Sequence, residues 1–108
     1  IHRFYQNQIQ RYFESLGYRA RIEAYLNGKS VDVGVWKPGR KVAVEIEMSP
    51  AHALENIQKD LAVGWDGVVV AYAEDSVLQK IKADGETHPE FIGWLERIEF
   101  ISVRKLIP

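Results

Sequence analysis

Apolar positions recur along this chain with two different periods, and the changes of period mark out its elements. Phe4, Tyr5, Ile9, Tyr12, Phe13 and Leu16 recur at helical spacing and Gly17 follows as a stop, predicting an amphipathic helix over residues 2–16. Arg19, Arg21 and Glu23 then alternate with Ala20, Ile22 and Ala24, a strand pattern that leads into Asn27-Gly28, two residues that tolerate the positive φ of a tight hairpin turn. Val31, Val33 and Val35 share one face of the next strand, with Asp32, Gly34 and Trp36 on the other. After the turn Lys37-Pro38-Gly39, Val42, Val44 and Ile46 share a face, and Ala43, Glu45 and Glu47 share its opposite.

The second half reads differently. Ser49-Pro50 is expected to open a helix with an apolar stripe of Leu54, Ile57 and Leu61, Ala53 being a further candidate, and a stop at Gly64. The unbroken run Val68-Val69-Val70-Ala71-Tyr72-Ala73 fits a strand buried on both faces, so the strand-helix-strand crossover implies parallel pairing. Residues 75–82 are expected to form a short helix and residues 83–89 a surface connection. Phe91, Leu95 and Ile98 suit another short helix, and Phe100-Ile101-Ser102-Val103 a terminal strand. The order predicts one α/β domain over residues 1–108, with a mixed central sheet and helices on both sides.

Composition narrows the partners. At 108 residues the chain is large enough for one core. Its 14 Lys and Arg against 15 Asp and Glu exclude nucleic-acid or membrane binding by bulk charge. Residues 1–47 carry a balance of +3 and residues 48–108 a balance of −4, so an anionic ligand is expected near the first half. The absence of Cys excludes disulfides and thiolate metal sites and suits an intracellular, cytoplasmic setting. No run approaches the roughly 20 apolar residues of a membrane span. The chain opens with Ile rather than Met, as expected of a fragment or processed domain of a larger protein.

The sharpest chemical signal is acidic. Alternation puts Glu45 and Glu47 on one strand face, and the short turn makes the preceding strand their antiparallel neighbour, with Asp32 within reach. Convergent carboxylates repel one another unless a cation intervenes, and hard oxygen ligands suit Mg²⁺ or Mn²⁺ better than Zn²⁺. The alternative is a solvated acidic face balanced by Arg or Lys across the strand.

Val31-Asp32 followed by a hairpin to Val44-Glu45-Ile46-Glu47 resembles the metal-binding core of the PD-(D/E)xK nuclease superfamily, also called restriction-endonuclease-like. Asp32 matches its first acidic position and Glu45 its second, and the order of helix, three strands, helix and strand matches over roughly residues 2–73. The resemblance implies metal-dependent hydrolysis of nucleic-acid phosphodiesters, DNA above all, with Asp32, Glu45 and the carbonyl of Ile46 as metal ligands. Two positions depart from the pattern. Val31 stands where Pro is frequent, and Glu47 stands where Lys is usual. Either Glu47 is a third ligand or general base, or a Lys reaches in from elsewhere, or catalysis has been lost.

Lys59 is the best substitute for the missing Lys, because His52, Asn56 and Lys59 fall at i, i+4 and i+7 on one polar stripe of the second helix. His52 and Asn56 are accordingly candidate substrate contacts. On the first helix Gln6, Gln10 and Glu14 share a line, and resemblance to members with an acidic first-helix residue makes Glu14 a candidate. Arg19, Arg21, Lys29, Lys37, Arg40 and Lys41 are candidate phosphate contacts around the acidic centre. Trp36 either stacks on an unpaired base or, the favoured reading, packs below a helix. The expected activity is therefore an Mg²⁺- or Mn²⁺-dependent deoxyribonuclease. One alternative is a noncatalytic nucleic-acid-binding or protein-assembly domain retaining the nuclease fold. Another is an interaction domain attached to an ATPase or other nucleic-acid-processing protein. The superfamily resemblance also allows a homodimer.

Overall fold

The computed structural model describes residues 2–106. Helix α1 (His2–Ser15) is followed by strand β1 (Arg19–Ile22), a small hairpin of β2 (Tyr25–Leu26) and β3 (Lys29–Ser30), and the longer hairpin of β4 (Val33–Lys37) and β5 (Arg40–Glu47). Helix α2 (Ala53–Val63) leads to β6 (Gly67–Tyr72). Helices α3 (Asp75–Glu86) and α4 (Pro89–Trp94) and a 3-10 turn (Leu95–Arg97) then precede β7 (Ile98–Ser102), and a second 3-10 turn follows (Val103–Leu106). The five-stranded sheet has the order β1-β4-β5-β6-β7. Its first three strands pair antiparallel and β5, β6 and β7 pair parallel, which is the expected mixed sheet.

Period-two alternation divides the core. Val33, Val35, Val42, Val44, Ile46, Val69 and Ala71 meet Ile9 and Phe13 of α1 on one face. On the other, Val68 and Val70 meet Ala53 and Ile57 of α2, Val77 and Ile81 of α3, and Phe91 of α4. A third cluster joins Ala24, Val31, Ala43 and Trp65, with Trp36 packed against it. Slipping β5 by one residue would exchange its two faces, so the aliphatic side that meets α1 obliges Glu45 and Glu47 to face α2.

The Asn27-Gly28 turn forms as expected, with φ of 50° and 82°, and Gly64 ends α2 at φ 118°. Other boundaries differ from the sequence expectation. Helix α2 begins at Ala53 rather than at Ser49-Pro50, since the chain bends through residues 48–50 on leaving the sheet. Its deepest line is Ala53, Ile57 and Asp60, while Leu54 and Leu61 are partly buried. Helix α3 continues through Asp84 and Gly85, which were expected in a surface connection. A Cβ on Gly85 would lie 2.6 Å from the Phe91 ring, so glycine serves close helix packing here instead of breaking the helix. Among the described residues no helix is long and apolar enough to cross a membrane.

Gly34 sits under the same pressure. A Cβ there would lie 2.7 Å from Ala24 Cβ and from the Trp65 ring and 2.8 Å from Trp36. Gly34→Ala is expected to cost about 1–3 kcal/mol through overpacking, read as a lowered urea midpoint. An unchanged midpoint would contradict the packing.

Candidate active site

The β4–β5 ladder ends at Val33 opposite Val44, and side chains continue it. Ile46 N–H donates to Asp32 Oδ2 at 2.7 Å, and Asp32 N–H donates to Glu45 Oε1 at 3.2 Å. Asp32 and Glu45 are thereby brought together across the hairpin, but not by the expected alternation: β4 begins only at Val33, and Val31 packs with Ala24, Ala43 and Trp65 instead of sharing the face of Val33 and Val35. Helix α1 reaches the same point from the other face of the sheet. Gln6, buried within the helix contact, donates through Nε2 to the Asp32 carbonyl at 3.1 Å, and His2 Nε2 lies 2.9 Å from Asp32 Oδ1.

Helix α2 completes the cluster. Asn56 Nδ2 donates to Glu47 Oε2 at 3.1 Å. Lys59 Nζ donates to the Ser30 carbonyl at 2.8 Å and lies 3.4 Å from Glu45 Oε2 and 3.5 Å from Asp60 Oδ1. Glu45, Glu47 and Asp60 are 3%, 5% and 0% exposed, so the acids have left water and Lys59 is the ammonium among them. Glu45 Oε2 and both Asp60 carboxylate oxygens have no hydrogen-bond partner among the described residues.

Burial dominates the electrostatics, because desolvation penalises the charged form of an acid. It pushes Glu45 up to about 10, with neighbouring Asp60 adding to the rise and Lys59 opposing it. Burial also raises Glu47, an effect that the Asn56 hydrogen bond partly offsets. Asp60 rises for the same reason against the pull of its contacts with Glu45 and Lys59. For Lys59, burial alone would lower the ammonium, but Glu45 and Asp60 together outweigh it and raise it.

The oxygen donors at this strand end are of the type that a hard divalent cation takes. Asp32, Glu45 and Glu47 supply carboxylate oxygens, Glu45 has one buried oxygen without a hydrogen bond, and the Ile46 carbonyl leaves β5 on the same side as the N–H that meets Asp32. The cage is not closed, however. Among the described residues no three His, Asp or Glu side chains converge as a metal-binding group; Asp32 is engaged by His2 and Ile46, and Lys59 stands against Glu45.

Asp32, Glu45, Glu47, Asn56 and Lys59 therefore meet at one end of the sheet, and Lys29 lies exposed beside Ser30 at its edge. Most other candidates do not join them. His52 stands just ahead of the first turn of α2, where its ring contacts Glu55 at 3.6 Å and still lies near enough to Glu47 to act on its charge. Glu14 lies 12 residues along α1 from His2, about 18 Å away at the helical rise, so Gln6 takes the position considered for it. Lys37, Arg40 and Lys41 flank the opposite end of the hairpin, about 15 Å along the strands from the carboxylates, and so do not surround them. Lys37 instead lies over the Tyr18 ring, and Lys41 N–H donates to Asp66 Oδ2. Arg19 pairs with Trp36 in register and covers its ring, and Arg21 pairs with Gly34 on the exposed edge. Trp36 packs against Trp65 at a centroid distance of 5.5 Å.

His2 and Asp60 are the residues that sequence reasoning missed, whereas Gln6, on the line with Gln10 and Glu14, is the first-helix polar group that reaches the sheet end. Asp60 had a signal, since it falls seven residues from Ala53 and three from Ile57, an acid on an apolar line. For His2 only its i, i+4 spacing from Gln6 hinted at a common face.

The fold and this site define an α/β domain whose mixed central sheet, flanked by helices, gathers buried carboxylates and one lysine at a single strand end. No known protein family matches the chain, and no curated protein matches it. Among solved structures it is similar to a protein described as of unknown function, AF1548, with a TM-score of 0.59 and 13% identity over 94% of this chain. The chain spans 64% of the length of that protein, and the likeness is one of fold alone.

The raised Glu45 carries a sign for stability. The folded chain keeps a proton that the unfolded chain releases near the ordinary value of 4.5, so stability of the metal-free protein falls as pH rises from there towards about 10. Glu45→Gln is expected to flatten that decline and to stabilise the metal-free protein at pH 8 by about 1–3 kcal/mol. Urea titrations at pH 5 and 8 with a chelator check this, and wild-type stability that climbs over the interval would contradict it.

Proposed function

We propose that this domain is a restriction-endonuclease-like phosphodiesterase that hydrolyses nucleic acid, DNA in the first instance, with Mg²⁺ or Mn²⁺. The observation that carries the reading is the meeting of Asp32, Glu45 and Glu47 with Lys59, which reaches Glu45 from α2 although the strand position usual for lysine holds Glu47. Asp32, Glu45 and the Ile46 carbonyl would hold the cation. When bound, the cation supplies Lewis acidity toward the phosphoryl oxygens and acidifies water.

The chain's own groups have separable tasks. Glu47, held by Asn56 and raised by burial, suits acceptance of a proton from the attacking water. Lys59 keeps its charge beside the acids and can stabilise the phosphate as negative charge builds on it. Gln6 fixes the Asp32 backbone and Ile46 N–H orients its carboxylate, so the first ligand is pre-set by two elements.

One observation favours a second reading, a noncatalytic nucleic-acid-binding or assembly module. The Lys59 ammonium already offsets the buried acids, so the site can persist without a divalent cation.

Purified protein is expected to cleave linear, branched or single-stranded DNA when Mg²⁺ or Mn²⁺ is added. Asp32→Ala and Glu45→Ala should each lower the rate by at least about 100-fold, and Lys59→Met by about 10- to 1,000-fold, with circular dichroism unchanged. Binding that survives both alanine variants, with no metal-dependent cleavage by the wild type, would select the module instead.

A further inference from the structure

Helix α2 carries an acid where its packing calls for an apolar side chain. Ala53, Ile57 and Asp60 form its buried line, and Asp60 is wholly enclosed with neither carboxylate oxygen hydrogen-bonded among the described residues. An isolated carboxylate in such a place is costly, so charged residues are rarely fully buried unless paired. The cation paired with it is Lys59, its own neighbour in the chain.

The surroundings of that ammonium are specific. Ser30 O accepts a hydrogen bond from Nζ at 2.8 Å, and Glu45 Oε2 and Asp60 Oδ1 lie 3.4 and 3.5 Å from it as ionic contacts. They come from β3, β5 and α2. Lys59 is 30% exposed on its side chain, and a flexible stem of this length would otherwise extend its head into water. Asp60 therefore offers, from inside the core, the attraction that keeps the head turned inward.

We propose that Asp60 is a positioning residue: it holds the Lys59 ammonium against Glu45, so that α2 delivers to the end of β5 the positive charge that Glu47 does not supply. The consequence for catalysis rests on the phosphodiesterase reading, whereas the contact itself does not. Asp60 touches neither phosphate nor the attacking water in this account; it acts through Lys59, and it also neighbours Glu45.

The test uses the full chain in two assays. In metal-free protein, reductive methylation followed by peptide mass spectrometry reads the accessibility of Lys59 against exposed Lys80. Lys59 is expected to react more slowly than Lys80 in the wild type and several-fold faster in Asp60→Asn, with Lys80 unchanged. With Mn²⁺ and DNA, Asp60→Asn should lower kcat by about tenfold or more with KM little altered, and Asp60→Asn combined with Lys59→Met should be no slower than Lys59→Met alone. Asp60→Ser is read in the same way if the Asn variant does not fold. The proposal is overturned by a wild-type Lys59 as reactive as Lys80, by unchanged Lys59 reactivity in the folded variant, or by a double variant slower than Lys59→Met. Wild-type protein that cleaves nothing while the methylation contrast holds would overturn the phosphodiesterase reading and support the contact.

Discussion

Removal of the β5 and α2 carboxylates from water is the constraint on which the rest of the site depends. Glu45 cannot turn outward, because the alternation that buries Val44 and Ile46 against α1 directs Glu45 and Glu47 towards α2. Asp60 is equally trapped by the helix line that buries Ala53 and Ile57. With one ammonium among these acids, electrostatic balance is kept partly by Lys59 and partly by protons held on carboxyl groups that elsewhere would be ionised. A core built only for stability would place apolar residues at such positions.

Chain topology decides where that acidity falls. The β4–β5 hairpin brings the segment before β4 beside the end of β5, while the parallel pairing of β5 with β6 requires α2 to run back over the sheet from the same end. Two layers thus meet Asp32 and its neighbours, with Gln6 and His2 from α1 on one side and Asn56 and Lys59 from α2 on the other. The carboxyl ends of parallel strands are where open α/β sheets ordinarily bind ligands. The likeness to AF1548 extends over this architecture at 13% identity, and so speaks for the frame rather than for the groups mounted on it.

Much of the frame was legible because it rests on local geometry. The valine alternations, the Asn27-Gly28 turn and the unbroken run at Val68–Ala71 each need only the backbone of a few residues to be interpreted. Glu45 and Glu47 were legible for the same reason, and Asn56 and Lys59 because helical spacing holds within α2, whereas Asp32 meets β5 from ahead of β4, where the alternation no longer holds. His52 holds the N-cap of α2 and its carbonyl accepts the Asn56 N–H, so the stripe reaches it even though the helix does not extend back to Ser49-Pro50. Gly85, by contrast, misled. Its value lies in admitting the Phe91 ring, a contact that a local reading treats only as a break.

By itself, then, the order of residues determined which groups share a strand face or a helix line, and hence that acids would collect on one side of β5. Only the tertiary structure decided how α2 is rotated over that face, so that Asp60 rather than Leu61 points deepest and Lys59 turns back to Glu45. It also decided that α1 reaches Asp32 through Gln6 and that Lys37, Arg40 and Lys41 stand at the far end of the hairpin. The reason is physical: alternation and helical period are properties of one segment, whereas desolvation, helix rotation and the meeting of distant side chains exist only once the layers have packed.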